Sequence, residues 1–258
     1  PLGAYTYIGT TDDYYPNTEY WPPVTHGDVS YLLDSTHRIM PSLSLTPDQI
    51  VSVWSGIRPL VSDGSGRPSK ELSRKDEIWE SRSGMLSIGG GKLSAYRAMS
   101  ERIVDRLVKN NGFVCRPCAT ANESLPGGSG VPTLKAMWKG FTEPDMKRLV
   151  RLYGGELNMI EKDSEGEADT VVAEAHHAVM AEGALRLEDY WARRSSRAWF
   201  DYKAGLPVLE RAAAAMAGLL NWDEARMMME INNCRSLDAR SRGAFMADVP
   251  YEGHAIDY

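Results

Sequence analysis

Cysteine is scarce in this chain: its 258 residues hold three, too few for a disulfide framework. Two of them form Cys115-Arg116-Pro117-Cys118, the spacing of a redox pair or a zinc half-site. No second pair and no nearby histidine completes four ligands, so these read as plain loop thiols and no metal is expected. Adjacent His176 and His177 point to different sides of any helix, which excludes a shared metal and reads as one or two surface imidazoles. Acidic residues outnumber basic ones, 35 to 29, and no Lys/Arg stripe stands out, which excludes a nucleic-acid footprint. No apolar run approaches the roughly 20 residues that span a bilayer, so contact with a membrane is expected only at its surface or through a partner. No GxGxxG turn, the fingerprint of a dinucleotide-binding Rossmann unit, occurs anywhere. The glycines at 64 and 66 sit in a polar loop, and Gly127-Gly128-Ser129-Gly130 runs into Val131-Pro132 rather than into a helix.

What is present is an ordinary globular balance, 43% hydrophobic and 25% charged, with length for one large or two modest domains. The most informative stretch is Leu86 to Arg97, where an apolar strand runs into Gly89, Gly90, Gly91 and Lys92, and these open a helix. Glycines let a backbone come close to a ligand, and the free N–H groups of a helix start favour negative charge. Short strand-to-helix connections also use glycine for geometry alone, so the turn by itself leaves both readings open.

Two zones follow from patterning. Residues 5 to 97 mix short apolar runs (Tyr5 to Ile8, Ile50 to Ile57, Met85 to Ile88) with polar loops, as strands with a few short helices do. Thr25 caps a helix striped by Val29, Leu32, Leu33 and Thr36, and Thr46-Pro47-Asp48-Gln49 reads as a second helix start. After the glycines, Leu93, Tyr96, Met99, Ile103 and Leu107 recur at helical spacing up to Asn110-Asn111-Gly112 and are expected to pack in a core. Proline and glycine between Cys115 and Pro132 mark a linker. Beyond it, Met146 to Tyr153, Thr170 to Met180, Leu187 to Trp199, Val208 to Leu220 and Asp223 to Asn232 each read as helices. Leu209, Ala213, Met216 and Leu220 form one seam, and Met227 to Met229 form an adaptable core patch. From Arg235 the periodicity vanishes, which predicts an extended arm.

Four blocks, Tyr7-Ile8-Gly9-Thr10-Thr11-Asp12, Val53-Trp54-Ser55-Gly56-Ile57-Arg58-Pro59-Leu60, Leu72-Ser73-Arg74-Lys75-Asp76 and Gly89-Gly90-Gly91-Lys92-Leu93-Ser94, stand in that order. In order and spacing they resemble the second half of the FAD-dependent, quinone-linked glycerol-3-phosphate dehydrogenases, whose pattern reads GTTD, SG(I/V/L)RPL, SR(D/N) and GGK(W/L)TTYR. Leu149 to Gly154, the helix from Glu174 to Arg194 and Leu220-Asn221-Trp222-Asp223 match the helical cap that ends those enzymes. The resemblance implies an α+β fold: the end of a D-amino-acid-oxidase-like substrate-binding β region, then an all-α C-terminal cap, with the N-terminal FAD-binding Rossmann half absent. It implies a partial FAD- and substrate-binding region over 1–112, a linker over 113–132, a helical domain over 133–234 and a tail over 235–258.

The resemblance also implies chemistry. In the family a hydride passes from C2 of glycerol 3-phosphate to FAD, giving dihydroxyacetone phosphate, and electrons go on to quinone. Arg58 and Arg74 match the cations that reach substrate, and Lys92 the lysine poised where flavin and substrate meet. Thr10 and Thr11 fall in the substrate region. Gly89, Gly90, Gly91, Lys92, Leu93 and Ser94 would line one edge of the flavin. The chain departs from the pattern where Ser94 and Ala95 replace two threonines and where Arg193-Arg194-Ser195-Ser196 replaces RRTR. The calcium-binding loops of the animal members are absent. Alone, the chain is expected to be inactive and to need a complementary FAD-binding polypeptide. The wording around Trp54 to Val61 is closest to the mitochondrial members, which points to the periphery of the mitochondrial inner membrane, or to the cytoplasmic membrane face of a bacterium. The rival reading is a non-catalytic subunit that keeps this half-fold as an interaction module of a larger respiratory assembly.

Overall fold

A computed structural model describes residues 5–58, 61, 75–131, 141–163 and 169–243. The chain divides into two compact units, one of residues 1–11, 19–56 and 126–258, the other of 12–18 and 57–125.

The larger unit is helical. Helix α1 (His26–Ile39) starts on a reciprocal capping box between Thr25 and Asp28, which satisfies two backbone donors that the first turn would leave unpaired. Its Val29 and Leu33 pack with Val24, Ile50 and Val53. The second start signal yields only a single 3-10 turn, Pro47–Gln49, because Ile50 leaves it in an extended conformation. The segment from Ile50 to Ile57 is not a strand. Side chains anchor it instead: Arg242 donates to the Val51 carbonyl at 2.6 Å, and Ser52 Oγ donates to that of Trp199 at 2.5 Å. Nor do Tyr5 to Ile8 form a strand.

Among the described residues every element after 140 is a helix: α3 (Glu143–Tyr153), α4 (Leu157–Asp163), α5 (Thr170–Met180), α6 (Arg197–Phe200), α7 (Leu209–Leu220) and α8 (Glu224–Gly243). Helix α5 carries both cores. Its Ala173 meets Phe141, Met146, Leu149, Tyr153, Leu157 and Ile160 on one side. Its Val171, Ala175 and Ala178 meet Leu187, Trp191, Leu209, Met216 and Ile231 on the other. Trp21 stacks on Trp191 and Trp199, with ring centroids 6.1 and 5.2 Å apart. Between the cores lies a buried ionic network: Glu174 accepts from Arg148 at 2.5 Å, Arg197 at 2.6 Å and Tyr153 at 3.2 Å. Burial alone would lower the Arg197 pKa, but the charges of Tyr190, Glu174 and Asp201 hold it above its ordinary value.

Several sequence expectations change here. Leu187 to Trp199 is not one helix: Asp189–Arg194 is a π-helical turn, Ser196 turns left-handed at φ 55°, and α6 restarts beyond it. His177 is buried rather than at the surface, because it shares a face of α5 with Ala173 and meets the Tyr153 ring edge-on at 5.6 Å. Met228 and Met229 are exposed, so only Met227 packs against the core. The expected arm from Arg235 is helical as far as Gly243. Its buried positions are Asp238, Ser241 and Arg242, a polar set that hides the helical period from a hydrophobicity reading. Trp21 Nε1 donates to Ser241 Oγ at 2.7 Å and completes that docking.

The smaller unit is a hairpin and one helix. Strands β1 (Asp76–Glu80) and β2 (Leu86–Gly90) pair antiparallel, with Ile78 opposite Ile88 and Asp76 opposite Gly90. Helix α2 (Tyr96–Asn111) ends on Gly112 in the left-handed region, φ 64°. Of the apolar stripe expected to sit in a core, Leu93, Tyr96 and Leu107 are exposed and Met99 and Ile103 are half-buried, while Val104 beside them is exposed as well. Polar residues one turn apart hold the helix to β1 instead. Arg102 pairs with Asp76, Arg106 donates to the Ile78 carbonyl at 3.3 Å, and Asn110 donates to Glu80 at 2.8 Å. No described residue of this unit is buried.

Candidate functional site

Two of the four sequence blocks meet in the smaller unit, and Val61, which follows a third, touches the same turn. The hairpin register places Asp76 beside Gly90, which brings the end of the third block to the glycine turn. A Cβ on Gly90 would lie 2.8 Å from the Lys75 carbonyl oxygen and 3.0 Å from Val61, three residues beyond Arg58. With φ at 75° and no room for a side chain, position 90 demands glycine. Gly91, at φ 78°, lies under Met99 of α2, where a Cβ would stand 2.6 Å from its sulfur. Packing of the hairpin and helix thus accounts for these glycines by geometry.

Lys92 follows in an extended conformation, and Leu93–Ala95 make a 3-10 turn before α2 begins at Tyr96. The helix start expected at the glycines is therefore displaced by one tight turn. Lys92, Leu93 and Ser94 are exposed. The turn offers a bare backbone edge, a cation and an apolar side chain, a set that fits one edge of a flat, partly anionic ring.

Arg58 joins the first block to the second. Its Nη1 donates to Asp12 at 2.6 Å, a partner 46 residues away that closes the Thr10-Thr11-Asp12 motif. Both side chains are nearly half exposed, so the pair contributes under about 1 kcal/mol to stability. In the larger unit, Thr10 donates to the Thr11 carbonyl at 2.8 Å. Burial tends to raise the Asp28 pKa, but hydrogen bonds from Thr25 and Thr11 outweigh it and leave the carboxyl below its usual value. Thr11 is thereby engaged at the first turn of α1. Arg74, the remaining predicted cation, lies outside the described residues. Among the described residues no group of side chains could hold a metal ion.

The blocks and the helical cap define a class. Residues 118–227 match the family described as the C-terminal domain of alpha-glycerophosphate oxidase. The chain is 34% identical over 249 residues to the aerobic glycerol-3-phosphate dehydrogenase of Staphylococcus aureus strain USA300, covering 88% of this chain and 44% of that protein. The same identity and coverage hold for the protein of strain MRSA252. The X-ray structure of the glycerol-3-phosphate dehydrogenase from Bacillus halodurans, complexed with FAD, is similar at a TM-score of 0.73 and 27% identity, covering 96% of this chain and 50% of that one. The chain is homologous to the C-terminal half of FAD-dependent glycerol-3-phosphate dehydrogenase, and it spans about half the length of the relatives it matches.

Proposed function

We propose that this chain supplies the substrate-facing half of an FAD-dependent glycerol-3-phosphate dehydrogenase. The observation that carries the reading is the meeting of Val61, Lys75 and Gly90, which joins two family blocks and the residue that follows a third around one glycine turn. In this reading Arg58 and Arg74 bind the substrate phosphate, where planar, multiply donating guanidinium groups suit the anion's oxygens. Asp12 orients Arg58. Lys92 and the backbone N–H groups of the turn favour negative charge at the ring edge they face. Bound FAD would accept the hydride from C2 of the substrate. The pyrophosphate has no GxGxxG turn to sit on within these 258 residues, so the cradle for it comes from other polypeptide.

Electron delivery to quinone at the periphery of the mitochondrial inner membrane, or at a bacterial cytoplasmic membrane, belongs to the same proposal. No helix among the described residues is long and apolar enough to cross a membrane. A second reading, a non-catalytic interaction subunit, draws on Ser94 and Ala95, which stand where the family pattern has two threonines. The test mixes this chain with a polypeptide bearing a GxGxxG half. Restored flavin absorbance and glycerol 3-phosphate oxidation, with Arg58→Ala raising KM at least about tenfold through the loss of a charged hydrogen bond of about 1.5–3 kcal/mol, support the enzyme. Flavin binding without turnover supports the interaction subunit.

A further inference from the structure

Two thiols remain that the proposed chemistry does not use. Cys115 and Cys118 are both exposed, whereas Cys234 is buried in the helical core with its thiol pKa pushed up by burial. Cys118 Sγ lies 3.1 Å from Thr120 Oγ1, and that oxygen accepts from Arg97 Nη1 at 3.3 Å. The Arg97 pKa is raised first by its hydrogen bond to Glu101, and the charges of Glu101 and Cys118 add to this. Cys118 thus has a cation at hand on the first turn of α2. Cys115 has no described hydrogen bond. From Val114 to Cys118 no backbone hydrogen bond between described residues ties the loop, so it can close on itself without breaking one.

We propose that Cys115 and Cys118 are a reversible redox pair that exchanges with small disulfides, Cys118 being the attacking thiol. The Cys118 thiolate attacks one sulfur of a disulfide such as glutathione disulfide, forming a mixed disulfide and expelling one thiolate. The Cys115 thiolate then attacks Cys118 Sγ, forming the intramolecular bond and releasing the second thiol. Two protein thiols are oxidised and one small disulfide is reduced to two thiols, so electrons and protons balance. Residues 113–119 are neither turned nor bent in this structure; folding the loop into a four-residue turn would bring its end Cα atoms to within about 7 Å, the upper end of the span a disulfide needs. Pro117 would stand at the third position of that turn, where proline disfavours the common turn types. The ring is therefore strained and readily reopened, the property of a responsive bond rather than a structural one. Closure pulls Cys118 off Thr120 and alters the company of Arg97, five residues from Lys92. The inference stands on this loop alone and does not depend on the catalytic reading.

The full chain is incubated in glutathione and glutathione disulfide, quenched by alkylation and read by peptide mass spectrometry. The expected result is that Cys115 and Cys118 lose their label together while Cys234 keeps it. Cys115→Ser then stalls as a mixed disulfide on Cys118. Cys118→Ser forms its mixed disulfide at least about threefold more slowly, because the remaining thiol lacks the cation. Pro117→Ala shifts the balance toward the closed bond at the same glutathione ratio. Independent labelling of the two thiols, equal rates for the two serine variants, or covalent dimers in place of the internal bond would overturn the proposal.

Discussion

Replacing Glu174 by Gln removes the one carboxylate shared by Arg148 and Arg197. Glu174 is fully buried, and breaking such a pair by removing one partner costs about 3–5 kcal/mol, since it strands the remaining charge. The lower end applies here for two structural reasons. The Arg148 side chain is 20% exposed, so water screens part of its loss. Arg197, at 7%, keeps Asp201 at 2.6 Å and donates to the Tyr190 hydroxyl at 3.1 Å. The new amide also turns an N–H donor toward a guanidinium donor, and one of these goes unsatisfied. With a denaturant slope of about 3 kcal/mol/M, a loss of about 3 kcal/mol lowers the urea midpoint by about 1 M.

Tryptophan fluorescence reads this directly, because Trp21, Trp191 and Trp199 stack in the adjoining core. Arg197→Met alone should also destabilise, and the double variant should lose less than the sum by about 2 kcal/mol, as a shared pair demands. A midpoint shift below about 0.3 M for Glu174→Gln, or strict additivity with Arg197→Met, would refute the claim that this network holds the two helical cores together.

Glu182 should behave in the opposite sense. Burial raises its pKa above the ordinary carboxyl value, against the charges of His177 and Arg194, and one carboxylate oxygen is buried with no hydrogen bond. A raised folded pKa disfavours the fold as pH climbs past the unfolded value, so Glu182→Gln should raise Tm at pH 7 and flatten stability between pH 4 and 7, roughly the span above the ordinary carboxyl pKa; a lower Tm at pH 7 would contradict it. Gly90→Ala should cost at least about 1–2 kcal/mol for its left-handed backbone alone, with faster hydrogen exchange in β1 and β2; unchanged exchange would contradict the packing of Lys75 against the turn. In the chain alone, amides of α2 and the hairpin should exchange at least about tenfold faster than those of α5 and α7, the mark of a segment with few buried apolar contacts, and a complementary FAD-binding polypeptide should slow them.

Much of the helical zone was legible because its periodicity coincided with burial. Thr170 to Met180 has the bounds read from the sequence, and Leu209, Ala213 and Met216 are fully buried as expected, with Ala212 alongside. What failed did so where polar groups occupy the core. The last nine residues of α8 carry their burial on Asp238, Ser241 and Arg242, and the π-turn of Asp189–Arg194 depends on Ser195 donating to the Tyr190 carbonyl at 2.8 Å. No hydrophobic pattern reports such bonds. Helix α4 was hidden by acidic neighbours, although Leu157 and Ile160 are fully buried. At the candidate site the four blocks were legible as motifs, but their pairings were not. The Asp12–Arg58 bridge and the seat of Val61 against Gly90 join residues far apart in sequence, which one sequence gives no means to pair.

The two units are unequal in a way that bears on function. The larger unit has its own cores, so it needs no motif beyond helical periodicity to be stable. The smaller unit carries the glycine turn, Arg58 and Lys92, yet no described residue in it is buried. A lone two-stranded hairpin is marginal in water, and so is a helix of 16 residues without tertiary packing. Polar bonds from Arg102, Arg106 and Asn110 hold α2 to β1, while Leu93, Tyr96, Val104 and Leu107 face outward. Several large apolar side chains exposed on one short segment call for apolar cover. Relatives twice this length supply polypeptide of about the extent required. Cover on that face and a cofactor at the adjoining turn would come from the same source, which is why the proposed reading of this chain as half of a flavoenzyme accounts both for its motifs and for the exposure of the smaller unit's described residues.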